Sequence, residues 1–156
     1  MAQPRHRRIW DAMVTRFGAI SVAGGYNTDV RRCVKSPGSV AWLDVPPADR
    51  PWIGIISQPR EITAEPRRWK IRAKFDLVAV VNASSEGDKN SLIDGLEDDI
   101  LKAIGVDPRW GTNPDDSEPN AVMTDIEMDQ VDDIPDPRQG ALIVSLTVTY
   151  YREMFA

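Results

Sequence analysis

This chain of 156 residues has one cysteine and one histidine. A lone cysteine, Cys33, cannot close an internal disulfide, which suits a reducing compartment. The same two counts exclude a standard zinc site built from four Cys and His ligands. No apolar run approaches the roughly 20 residues needed to span a bilayer, so no membrane partner is expected. The opening MAQPRHRR leads into no apolar stretch of signal type. A soluble, unprocessed protein made inside the cell is expected.

Catalytic motifs are missing as well. As a nucleophile, Cys33 would need a histidine base, and only His6, close to the N-terminus, could serve. General acid–base work needs one carboxyl raised in pKa by burial and another left ionised. Every acidic residue here falls on an exposed-looking face or in a loop. No enzyme and no cofactor is therefore expected. Two acidic clusters could gather around calcium: Asp115, Asp116 and Glu118, and Asp129, Asp132, Asp133 and Asp136. Neither has the alternate spacing and fixed glycine of an EF-hand loop, so no metal is expected either.

Charge is plentiful but uneven. Residues 1–80 hold 14 Lys and Arg against 7 Asp and Glu, a balance of +7. Residues 81–156 hold 5 against 17, a balance of −12, giving the net −5. Such asymmetry fits solvated surface of uneven usage, a basic surface for nucleic acid, or two complementary faces that meet between subunits.

The length fits one domain over 1–156, with enough chain to bury a core without disulfide or metal. Ile9, Met13, Phe17 and Ile20 recur at helical spacing, so Arg5–Ala19 reads as a helix opened by Pro4. Strands are expected at 29–34, 52–57 (WIGIIS) and, as a short one, at 40–45. The prolines at 59 and 66 exclude a central strand between them, leaving a charge-rich connection. Trp69–Val81 alternates strictly. Trp69, Ile71, Ala73, Phe75, Leu77, Ala79 and Val81 form one apolar face, and Lys70, Arg72 and Lys74 make the other basic at one end. Its Phe75–Val81 half should sit at a sheet centre. Its Trp69–Lys74 half should reach toward a neighbour.

A second helix is expected from Asp88 or Lys89 to Ile104. Its stripe is Leu92, Ile93, Leu96, Ile100, Leu101 and Ile104, with Asp88 as N-cap and Gly105 as C′ residue. Gly95 would let a neighbour pack closely. Asp94, Glu97, Asp98 and Asp99 make its outer side acidic. The loop 106–120 shows no periodicity. Strands at 121–129 and 140–151 then form an antiparallel hairpin. The order predicts an α+β fold: a mixed, largely antiparallel sheet with two helices packed against it.

With no chemistry to follow, the charge pattern points to assembly. The basic end of the long strand, Arg67, Arg68, Lys70 and Arg72, would meet the acidic faces of residues 88–136, among them Asp115, Asp116, Asp132 and Asp133. These are the candidate interface residues of a head-to-tail contact, which closes into a ring when the rotation permits. Direct DNA binding through the same cations is the competing use, and an enzyme acting through carboxylates a further one.

The layout also resembles a known family. IWDAMVTRFGAI leads into GYNTDV and a strand. WIGII, the long alternating strand, SLIDGLEDDILKAI, an acidic loop and a closing VSLTVTYYRE follow. This order is similar to the tail-terminator, or tail-completion, proteins of long-tailed bacteriophages. The resemblance implies a hexameric ring in the virion, assembled in the host cytoplasm. Such a ring caps the tail-tube protein, ends its polymerisation and meets a head-side neck or connector protein. DNA would only pass through the lumen. Another neck or minor tail component, such as a head-closure protein, is the alternative within the same biology.

Overall fold

A computed structural model describes residues 3–36, 45–114, 116–131 and 134–154. Two helices, α1 (Arg5–Gly18) and α2 (Glu86–Val106), lie on one face of a six-stranded sheet. The strands are β1 (Arg32–Ser36), β2 (Trp52–Ser57), β3 (Glu61–Glu65), β4 (Arg68–Asn82), β5 (Met123–Val131) and β6 (Gln139–Glu153). Their order is β1-β2-β4-β6-β5, and β3 pairs with β4. Among the described residues only the β1–β2 pair is parallel. This is an α+β fold with a mixed, largely antiparallel sheet.

The period-two pattern of β4 is realised directly. Ile71, Ala73, Phe75, Leu77, Ala79 and Val81 are buried on the front face, beneath the helices. β6 places Leu142, Val144, Leu146, Val148 and Tyr150 beside them along a register of 15 pairs. A slip of one residue would turn every one of these side chains to the other face, so burial pins the register. From α1 come Ile9, Met13 and Phe17; α2 supplies Ile93, Leu96, Ile100, Ala103 and Ile104. On the back face, Trp52, Val78 and Val80 form a second, smaller cluster. Trp52 folds over Gly54, where a Cβ would sit 2.3 Å from its ring.

Several boundaries and one element differ from expectation. β1 starts at Arg32 rather than Asp29, because residues 20–30 are spent on a turn: Val30 N–H donates to the Ile20 carbonyl. Residues 40–44 of the short strand expected at 40–45 lie outside the described residues. The N-cap of α2 is Ser85, whose hydroxyl accepts from the Asp88 N–H, so Asp88 lies inside the first turn. Gly105 does not end the helix, which continues to Val106 and stops at extended Asp107 before Pro108. Leu101 leaves the core stripe and is 44 % exposed.

The connection at 58–67 contains β3. Gln58 N–H still donates to the Lys74 carbonyl, Pro59 has no N–H to give, and pairing with β4 resumes at Glu61. Thus β2 and β3 behave as one strand interrupted at a proline. The exclusion of a central strand holds, since β3 lies at an edge with β4 as its one partner among the described residues.

Candidate assembly surface

At 15 residues, β4 spans roughly 50 Å, whereas the 21 residues of α2 span about 31 Å. β4 is therefore longer than α2. Its exposed end forms an arm with β3, made of Arg68–Lys70 of β4 and Tyr151–Glu153 of β6. Ile71 and Tyr150 next to it are buried in the core, and Arg5 at the start of α1 donates to the Tyr151 carbonyl. This half of β4 is paired within the chain on each side, with β3 and with β6. At the tip, Pro66 and Arg67 make the two-residue turn from β3 to β4. Arg67 has φ 65°, a left-handed conformation that L-residues seldom adopt, and its carbonyl accepts from Met154 N–H.

The arm's back face carries the predicted cations in cross-strand rows. Arg68 stands opposite Glu65 and bridges it at 2.9 Å. Its guanidinium also lies 3.7 Å from the centroid of Tyr151. Arg72 stands opposite Glu61, 3.6 Å away. Lys70, opposite Thr63, is half-buried, and Lys74 is exposed. Among the described residues no ion pair involves either lysine. Exposed pairs such as Arg72–Glu61 contribute only about 0.2–1 kcal/mol, so they orient the arginines more than they stabilise the arm. The basic stripe ends at Asp76, which accepts from Gln58 Nε2 at 3.0 Å and Ser145 Oγ at 2.8 Å.

The acidic partners are distributed differently. Asp116 is engaged within the chain, 3.0 Å from Arg5. Asp115, Asp132 and Asp133 lie outside the described residues. The exposed carboxylates that the fold gathers are Asp125, Glu127 and Asp129 on the back face of β5, and Asp94 and Asp98 on the outside of α2.

Asp99 is the main correction. Expected on the acidic outer side of α2, it is 1 % exposed. It accepts from Asn27 N–H at 2.8 Å, Thr28 N–H at 2.8 Å and Thr28 Oγ–H at 2.6 Å. Three donors on one carboxylate offset the cost of burying its charge. The 27–28 segment packs alongside Gly95, where a Cβ would come into ordinary contact with Asn27 Cβ at 3.4 Å. A signal was present: Leu92, Leu96, Asp99 and Ala103 share one helical line, which puts a carboxylate on an otherwise apolar stripe. The site is saturated by its own chain and offers no reactive geometry.

Two further side chains escaped the sequence reading. Trp110, in the aperiodic loop, is fully buried against Phe17 with the Arg16 guanidinium 4.5 Å from its ring centroid. Its Nε1–H donates to Thr124 Oγ1, and Asn120 Nδ2 donates to its carbonyl. Asp107 supports this loop by accepting from Arg109 and Gly111 N–H. His6 is not a free terminal side chain. It stacks on Phe75 at 5.0 Å and bonds Ser57 Oγ at 2.9 Å, while its Nδ1 is buried without a partner. Burial and the nearby cations Arg60 and Lys35 lower its pKa to about 4. Cys33 is half-buried beside Gly18, and burial pushes its thiol up to about 12, so it is not a thiolate at neutral pH.

No group of three or more His, Cys, Asp or Glu able to hold a metal occurs among the described residues. No helix among them is long and apolar enough to cross a membrane. Neither a protein-family model nor a curated protein matches the chain.

Proposed function

We propose that this protein is a structural ring component of a phage tail or neck, acting as a tail terminator. The observation that carries the proposal is one sheet with a basic arm at its β3 end, covered on its front by a helix, α2, whose outer side is acidic. Lys70, Arg72 and Lys74 point to the back face, whereas Asp94 and Asp98 lie on the helix that covers the front. Patches of opposite sign on separate elements of one subunit, the arm and α2, suit a heterologous contact, which closes into a ring or extends into a filament. Charge complementarity of this kind sets partner and orientation more than affinity. A ring of this type would cap the tube protein, present its other side to a neck protein, and let DNA pass.

Nucleic-acid binding is the weaker use of the arm. Glu61 and Glu65 already stand against Arg72 and Arg68, and the β5 carboxylates lie two strands, or about 10 Å, from β4. Light scattering behind size exclusion, with negative-stain imaging in the presence of tail tubes, tests the proposal. Assemblies of about six copies, or caps on tube ends, are expected. A protein that stays monomeric and ignores tubes would refute it, and tight, salt-sensitive binding to duplex DNA would favour the other use.

A further inference from the structure

Resting on the ring proposal, we infer that the front face of the arm docks on the outer stripe of α2 in a second copy of this chain. Ile62 and Trp69 are 58 % and 38 % exposed on that face, with Ala64 paired to Trp69 between them. Arg152 stands opposite Trp69 on the other side, and Arg67 turns the tip beside it. An exposed tryptophan flanked by an aliphatic side chain and arginines is the composition of an interface hot spot. The patch calls for a surface that is apolar and anionic together.

The outer side of α2 has both properties. Asp94, Asp98 and Leu101 recur at spacings of four and three and so share one helical face. Leu101 is 44 % exposed, and Val106 at the same end of the helix is 69 % exposed. The other acidic stripe, on β5, fits less well. Adding the β3 edge, which has no second partner among the described residues, to the β5 edge of another copy in a continuous sheet with back faces on the same side would set Glu61 and Glu65 beside Asp125, Glu127 and Asp129. Like charges placed side by side across strands are destabilising.

A heterologous contact has a signature in mixtures. One variant, Trp69→Ser with Arg152→Glu, removes the arm's surface and keeps its α2. A second, Leu101→Ser with Asp98→Lys, does the reverse. All four positions are exposed, and thermal melts by circular dichroism check that both variants fold. Ile62→Lys replaces the arm variant if that one unfolds. Each alone should self-associate at least tenfold more weakly than wild type. Mixed in equal amounts they should form dimers and nothing larger, because only one intact contact can then be made. Rings from either variant alone, or a mixture that stays monomeric, would overturn this contact while leaving the ring proposal standing. A wild-type protein that is monomeric with and without tubes would remove both.

Discussion

Replacing Asp99 by alanine tests the central packing claim most directly. The carboxylate accepts three hydrogen bonds of 2.6–2.8 Å at 1 % exposure. Bonds to a charged group contribute about 1.5–3 kcal/mol each, and a buried donor left unpaired costs about 1–3 kcal/mol. Truncation orphans the N–H groups of Asn27 and Thr28 together. Allowing for non-additivity among groups that share one acceptor, the loss should be about 3–5 kcal/mol. For a chain of this size that lowers Tm by roughly 10–15 °C. Thr28→Val removes only the hydroxyl donor and should cost about 1–2 kcal/mol. Urea unfolding at fixed protein concentration, which keeps self-association constant, supplies the numbers. In a double-mutant cycle with Asp99→Ala, the Thr28→Val cost should largely vanish. If Asp99→Ala stays within about 0.5 kcal/mol of wild type, as an exposed residue would, the buried-anchor account of α2 is wrong.

Two other predictions follow from single side chains. His6 has a pKa lowered by burial to about 4 from 6.5, so between those values the unfolded chain binds the proton that the folded one refuses. Stability should be fully present above about pH 6.5 and fall as pH drops toward 4. His6→Phe, which keeps the stack on Phe75, should flatten that slope relative to wild type in urea titrations across the window. Arg67 holds φ 65° at the arm's tip. The left-handed conformation costs roughly 1–2 kcal/mol, and glycine's extra chain entropy gives back about 0.5–1 kcal/mol. Arg67→Gly should therefore raise stability by about 0.5–1 kcal/mol by thermal melt, whereas Arg67→Val should lower it.

The candidate site was legible only in part. Its cations were readable because Arg67, Arg68, Lys70 and Arg72 adjoin a strictly alternating run, and alternation tells which face each side chain takes. The pairing of Arg68 and Arg72 was not. Glu61 and Glu65 sit in a proline-bounded stretch with no apolar alternation, and they become partners of Arg72 and Arg68 only when β3 pairs with β4. The acidic half was legible in part. The acidic outer side of α2 followed from its helical spacing, whereas Asp116, still 46 % exposed, is paired with Arg5 across 111 positions of chain.

What the sequence by itself determined is whatever rests on local period. A short apolar run between prolines placed β2 over Trp52–Ser57, period two placed the cores of β4 and β6, and period 3.6 placed α1 and the buried line of α2. Those patterns record one face turned away from water, and neighbouring residues suffice to reveal it. Only the tertiary structure decided the fates of Asp99, Trp110 and the β3 edge. The donors for Asp99 stand about 71 positions away along the chain, and Trp110 is buried by Phe17, nearly a hundred residues before it. Whether a polar or isolated side chain is buried depends on partners brought up by the rest of the fold, and no local period encodes them.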